Sequence, residues 1–185
     1  MVKIAITGGI GSGKSYVCRL LEERGISVYD CDSAAKRLMV TSEKIIKDLT
    51  TLVGKDVYID GRLNKPVMAK YLLASEENMK RINSIVHPIV ADDFISSGSK
   101  WMECALLFSS GFNRLVDKVI CVSAPLEVRL ERIVNRDGIS REKAEEWINN
   151  QMSQDEVIAR SDYNIVNDGI CDLNIQIENI LNELI

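Results

Sequence analysis

The residues best suited to chemistry come early in the chain. Gly8-Gly9-Ile10-Gly11-Ser12-Gly13-Lys14-Ser15 satisfies the spacing G-x-x-x-x-G-K-[ST]. Glycines at these positions let backbone N–H groups turn inward and approach phosphate oxygens with no Cβ in the way. Lys14 supplies positive charge for β- and γ-phosphates, and the Ser15 hydroxyl is a ligand for Mg²⁺. A second group follows at Tyr29-Asp30-Cys31-Asp32. A carboxylate there can take a proton from an attacking hydroxyl or hold water on Mg²⁺. Extended backbone would put Asp30 and Asp32 on one side, where repulsion and nearby cations would drive their pKa values apart. Asp32 has a second reading, as the N-cap of a helix beginning Ser33-Ala34-Ala35. Farther along, Arg132 and Arg136 lie one helical turn apart, with Arg129 preceding them. An arginine arriving on closure of a lid could stabilise the charge that phosphoryl transfer spreads over equatorial oxygens, and Arg136 is the candidate. Its alternative is a solvated basic face paired with Glu131 or Asp137.

These groups need strands and helices to place them. The nearly continuous apolar runs Val2 to Thr7, Trp101 to Phe108 and Lys118 to Ser123 predict buried parallel strands. Ile26 to Tyr29 and Tyr163 to Val166 are weaker candidates, which brings the sheet to five strands. Helical spacing separates them: Val17, Leu20 and Leu21 within Lys14 to Glu23, and Leu126, Leu130 and Ile133 within Pro125 to Val134, with Pro125 in a first helical turn. A last helix repeats Leu173, Ile177, Ile180, Leu181 and Leu184. Strands alternating with helices imply right-handed crossovers and a doubly wound three-layer α/β/α sheet, with ligands beyond the strands' carboxyl ends.

No strand is evident from Ser33 to Ser99. There the turn Asp60-Gly61 separates helical patterns at Glu43 to Val53 and Pro66 to Leu73, and a longer helix follows from Glu76. This predicts a helical substrate lobe at about 33–99, inserted into a core of about 1–32, 100–136 and 162–185. The polar, helix-prone stretch at about 137–161 suits a lid. Within the lobe, Pro88 disfavours helical geometry at His87 and can start a fresh helix, so a kink is expected there.

Composition narrows the partners. With 46% hydrophobic and 27% charged residues the chain reads as globular, and its net charge of -4 argues against nonspecific duplex nucleic-acid binding. Its first apolar run is too short for a signal peptide, and no run approaches the ~20 residues that span a bilayer, so a soluble, cytoplasmic protein without membrane partners is expected. Five dispersed cysteines with no C-x-x-C pair suggest reduced thiols, and one histidine makes a structural zinc site an unfavourable reading. Cys31, between two aspartates, reads as an inert thiol. A monomer or weak homo-oligomer is expected.

The motifs together resemble dephospho-CoA kinases, a family of P-loop kinases. Thr7-Gly8-Gly9-Ile10-Gly11-Ser12-Gly13-Lys14-Ser15 is similar to the family's T-G-G-I-G-S-G-K-S, and Asp30 through Lys36 to its D-x-D-x-x-A-[KR]. The match continues through Asp60-Gly61-Arg62-Leu63, His87-Pro88, Leu106-Leu107-Phe108, Arg132 with Arg136-Asp137, Gln151 and Asn167-Asp168-Gly169. The resemblance implies a P-loop NTPase fold, ATP as donor with Mg²⁺, and Asp32 as general base on the ribose 3′-hydroxyl of dephospho-CoA. It also implies a nucleotide site of Gly9, Gly11, Ser12, Gly13, Lys14, Ser15, Tyr16, Asn167 and Gly169, and substrate contacts at Asp32, Lys36 and His87. Lys14 and Arg136 complete the catalytic set. The chain departs from the family where P-L-L-F-E becomes Ala105-Leu106-Leu107-Phe108-Ser109, and where Trp147 stands in place of a frequent lid arginine. Glu103 is then the acid near that strand end.

Two other functions share the phosphate loop. One is a kinase for a nucleoside monophosphate or a metabolite such as shikimate. The other is a nucleotide-dependent switch, but the only Asn-Lys, Asn64-Lys65-Pro66-Val67, lacks the aspartate of N-K-x-D.

Overall fold

Ile4-Ala5-Ile6-Thr7 is buried at all four positions, which suits the middle of a parallel sheet covered on both faces. The computed structural model describes residues 2–184. In chain order its elements are β1 (Ile4–Thr7), α1 (Lys14–Glu22), β2 (Val28–Asp30), α2 (Cys31–Thr41), α3 (Glu43–Val53), β3 (Tyr58–Ile59), β4 (Arg62–Leu63), α4 (Lys65–Ala74) and α5 (Glu76–Ser97). Then come β5 (Trp101–Glu103), α6 (Leu107–Ser110), β6 (Lys118–Ser123), α7 (Leu126–Asp137), α8 (Arg141–Asn149), α9 (Gln154–Ala159), β7 (Tyr163–Val166) and α10 (Leu173–Leu184). The main sheet has five strands in the order β2-β5-β1-β6-β7. β1 pairs in parallel with β5, from Ile4↔Trp101 to Ile6↔Glu103, and with β6, from Ile4↔Lys118 to Thr7↔Cys121; β6 pairs in parallel with β7. This is the expected α/β fold with a five-stranded parallel sheet.

The chain divides into two compact units, one running up to Tyr29 and resuming at Ser99, the other Asp30–Gly98. In the first, Ile4, Ile6, Ile120, Val122 and Ile165 of the sheet pack with Val17, Leu20 and Leu21 of α1 and with Ile177 and Ile180 of α10. Trp101 packs partly buried against the same core. A smaller cluster joins Leu130 and Ile133 of α7 to Ala144 of α8, with Trp147 and the loop residue Ile10 against it. In the second unit α5 buries Ile82, Val86, Val90 and Phe94, a stripe at i, i+4 spacing. Ile45, Leu49, Val57 and Met68 are buried there as well.

Local structure differs from expectation at five places, each for a physical reason. The third predicted strand stops at Glu103 rather than Phe108, and α6 follows. Ser109 and Ser110 hydroxyls donate back to the carbonyls of Leu106 and Leu107, closing a turn where ladder bonds would otherwise continue. β2 lies at Val28–Asp30 instead of Ile26 to Tyr29. The lobe does contain strands, the two-residue pair β3 and β4 in antiparallel register around Asp60 (φ 49) and Gly61 (φ 73). Two successive positive φ values make the primed turn that closes tight hairpins. Pro125 stands at the N-cap of α7, one residue before the helix. Finally α5 runs unbroken through Pro88, so His87 is helical. A mid-helix proline forfeits one backbone bond, and the apolar stripe of α5 outweighs that loss.

Candidate active site

The loop between β1 and α1 leaves the head of the helix that follows it uncapped. α1 begins on Gly13, in left-handed backbone (φ 86), with no side-chain cap and no acid in its first turn. Its first N–H groups therefore have no partner within the helix, and they carry the positive end of its dipole. A Cβ at Gly13 would come within 2.0 Å of Asn167 Nδ2, and one at Gly11 within 2.7 Å of the Arg129 carbonyl oxygen. Only glycine permits this close packing. Ser12 Oγ, fully buried, has no hydrogen-bond partner. A buried hydroxyl without a partner beside uncapped helix N–H groups fits an anion such as a nucleotide phosphate.

Support comes from behind the loop, from side chains far along the sequence. Ile10 N donates to Gln151 Oε1 at 2.8 Å, and the Ile10 carbonyl accepts from Arg129 Nε at 2.9 Å. Arg132 donates to the carbonyls of Gly11 and Ser12, each at 3.3 Å, and to Asn167 Oδ1 at 3.2 Å. Asn167 Nδ2 donates to the Ser12 carbonyl at 2.9 Å. Arg129 is buried, and among the described residues neither it nor Arg132 is ion-paired with a carboxylate. Burial lowers the Arg129 pKa, yet an arginine remains charged at neutral pH. Two unpaired cations thus back the loop. Arg129, to which the sequence assigns no role, is buried here because the amino end of α7 tucks under Gly9 and Gly11. Its signal was the i, i+3 spacing with Arg132, shared with an ordinary surface stripe.

On the front of the loop, Glu103 Oε1 accepts from Lys14 Nζ at 2.5 Å and from Ser15 Oγ at 3.1 Å. Strand alternation explains the placement: Trp101 and Glu103 share one face of β5, the face on which Trp101 meets Val17 and Leu21 of α1. Tyr16 spends its N–H on the Gly13 carbonyl at 2.9 Å, and its exposed ring lies beneath Arg19. Asn167 follows β7 directly and is buried against the loop, whereas Gly169, two residues on, is exposed in a turn that Asp168 closes by accepting from Ile170 N and Cys171 N. Arg136 is exposed at the carboxyl end of α7, with its guanidinium on Asp137 at 2.7 Å. Its hydrogen bonds go to that carboxylate, and the loop carbonyls are met by Arg129 and Arg132 instead.

The second unit opens with the acidic pair. The N-cap of α2 is Asp30, not Asp32: its carboxylate accepts from Ser33 N at 3.0 Å and Ser33 Oγ at 2.6 Å. Asp32 lies exposed in the first helical turn, so the capping alternative is corrected, and the extended geometry expected to align the two acids ends at Asp30. Lys36 is exposed one turn beyond Asp32, while Cys31 is buried. His87 is half-buried within α5, and burial lowers its pKa.

The family is settled by comparison with known proteins. The dephospho-CoA kinase family model matches residues 2–172. This chain belongs to the dephospho-CoA kinase family. It is 44% identical over 175 residues to a dephospho-CoA kinase of Bacteroides fragilis, covering 91% of this chain and 85% of the relative. A crystal structure from Thermus thermophilus superimposes with a TM-score of 0.85 at 32% identity, covering 100% of this chain and 98% of that one. The dephospho-CoA kinase of Campylobacter jejuni, at 19% identity, shares the fold with a TM-score of 0.70 over 98% of this chain and 96% of its own. Within the family's span lie the loop, the acidic pair, and the residues that back the loop.

Proposed function

We propose that this chain transfers the γ-phosphoryl group of ATP to the ribose 3′-hydroxyl of dephospho-CoA, giving coenzyme A and ADP, the last step of coenzyme A synthesis. The observation that carries it is the family match over residues 2–172 in a chain whose phosphate cradle is intact. The backbone N–H groups of Gly9, Gly11 and Gly13, with those of Lys14 and Ser15 opening α1, hold the triphosphate, the buried Ser12 hydroxyl and Tyr16 line it, and Asn167 with Gly169 borders the nucleotide. Lys14 neutralises charge on the β- and γ-phosphates, and Ser15 holds Mg²⁺. When bound, the metal supplies charge neutralisation of the triphosphate. Asp32, free of the capping duty that Asp30 performs, takes the proton from the attacking hydroxyl. Lys36 and His87 contact the acceptor. Arg136 leaves Asp137 on closure of the segment at about 137–161 and meets the transferring group, limiting hydrolysis. Partners are thus ATP and dephospho-CoA, acting in the cytoplasm; no helix among the described residues is long and apolar enough to cross a membrane.

The test is an acceptor panel with ADP release as readout: dephospho-CoA, nucleoside monophosphates, shikimate, and no acceptor. Turnover with dephospho-CoA at least about a hundredfold above the others is expected. Equal or greater turnover with another acceptor would replace the substrate, and ADP release indifferent to every acceptor would favour an ATPase or switch.

A further inference from the structure

β7 is the last strand on one side of the main sheet, and a single side-chain amide occupies its open edge. Val166 N donates to Gln176 Oε1 at 2.8 Å, and Gln176 Nε2 donates to the Val166 carbonyl at 3.0 Å. A residue in a parallel strand turns both its backbone groups to one side, so Gln176 meets Val166 as a further strand would. The next residue turns the other way, and Asn167 N donates to the Ser123 carbonyl at 2.8 Å. The end of β7 is thus held from both sides. Gln176 is itself well anchored near the start of α10. Asp172 Oδ1 accepts from Asn174 N and Ile175 N, Asn174 Oδ1 accepts from Arg24 at 2.6 Å, and Ile177 and Ile180 are buried in the core.

Resting on the nucleotide reading above, we propose that Gln176 is a positioning residue that sets nucleotide affinity by holding Asn167 against the phosphate loop. Asn167 follows Val166 directly, donates to the Ser12 carbonyl at 2.9 Å and accepts from Arg132 at 3.2 Å. Its Nδ2 is also the atom that a Cβ at Gly13 would strike. Displacing this amide therefore frees the loop at the two residues that precede Lys14. The last residue of an edge strand frays readily when only one neighbour holds it. Protection of the edge from other chains needs only a charge or a proline there. An amide that offers donor and acceptor together does more, because it restores both bonds of the missing neighbour and fixes where the next side chain starts.

The experiment is calorimetric titration of ATP with Mg²⁺ into the full chain, with no acceptor present, beside thermal melting. Gln176→Leu should weaken ATP binding by at least about fivefold. Ile180→Val, which thins the packing of the same helix, should lower the thermal midpoint and leave affinity within about twofold. In an Asn167→Ala background, Gln176→Leu should change affinity by less than about twofold, because the residue it acts through is gone. Gln176→Glu keeps the acceptor for Val166 N and loses the donor; it replaces the leucine variant, with the same expected direction, should that one not fold. A lowered midpoint with unchanged affinity in Gln176→Leu, or an equal loss of affinity in Ile180→Val, would make the glutamine purely structural and overturn the inference while the nucleotide reading stands. Equal losses in the two backgrounds would overturn the route through Asn167. Absence of ATP binding by the wild-type protein would overturn the nucleotide reading and the inference with it.

Discussion

α1 opens on Gly13, with left-handed backbone, no side-chain cap and no acid in its first turn, whereas α2 opens on Asp30, whose carboxylate caps Ser33, with Asp32 in the turn that follows. Both helices come after a strand of the same sheet, and both present the positive end of a dipole and the same orphan N–H groups. α2 meets one of them with the Asp30 carboxylate. α1 leaves them for a ligand. The difference shows how one backbone feature serves either as closed structure or as an open anion site, depending on whether an acid or a glycine precedes the helix. It also divides the acidic pair: Asp30 caps the helix, and Asp32 lies exposed in its first turn.

Four substitutions or conditions sharpen that contrast, beginning with the largest expected effect. Asp32→Asn should lower kcat by roughly 10²–10⁴-fold while ATP affinity and thermal midpoint stay close to wild type. Single-turnover kinetics beside ATP titration checks it, and normal turnover would remove Asp32 from the mechanism. Gly13→Ala should close the open helix: its Cβ would meet Asn167 Nδ2 and its backbone would be strained, at a stability cost of about 1–3 kcal/mol, with ATP binding weakened at least about tenfold. Denaturant unfolding and calorimetry read both effects. Asp30→Ala should cost about 1 kcal/mol of stability as the cap is lost, with a much smaller effect on kcat than Asp32→Asn. A larger catalytic loss at Asp30 than at Asp32 would reverse the roles.

The smallest effect concerns pH. Burial holds His87 below its ordinary 6.5, so the unfolded chain binds its proton more readily than the folded one. Its contribution to stability is therefore complete above 6.5 and is lost as pH falls through the folded value. Thermal midpoints between about pH 8 and about pH 5 should fall less steeply in His87→Gln than in the wild-type protein.

The front of the site was legible in the sequence because its spacing is local. Eight consecutive residues, Gly8 to Ser15, define the loop, and an apolar strand and an amphipathic helix flank it. Its rear was much less so. Gln151 and Asn167 reach the loop from 141 and 155 residues away, and Arg129 from 119. Composition gives no sign that this arginine is buried. The exchange of Asp30 for Asp32 as cap followed from placing the second strand two residues too early at its start and one at its end; Val28–Asp30 runs straight into the helix. β3 and β4, at two residues each, are too short for a period of two to show. Pro88 illustrates the opposite failing: a strong local signal was overruled by the apolar stripe of α5.

The pairing of β1 carries a consequence for how the protein is made. Its partner on one edge, β5, begins at Trp101, and on the other, β6, begins at Lys118. Ile4, Ala5 and Ile6 are thus synthesised well before either partner and wait, with both edges open, while the chain between β1 and Trp101 is made. Contacts of such separation close slowly, and an unpaired apolar strand is prone to aggregate in the interval. The segment that ultimately supports catalysis is also the one most in need of protection during synthesis.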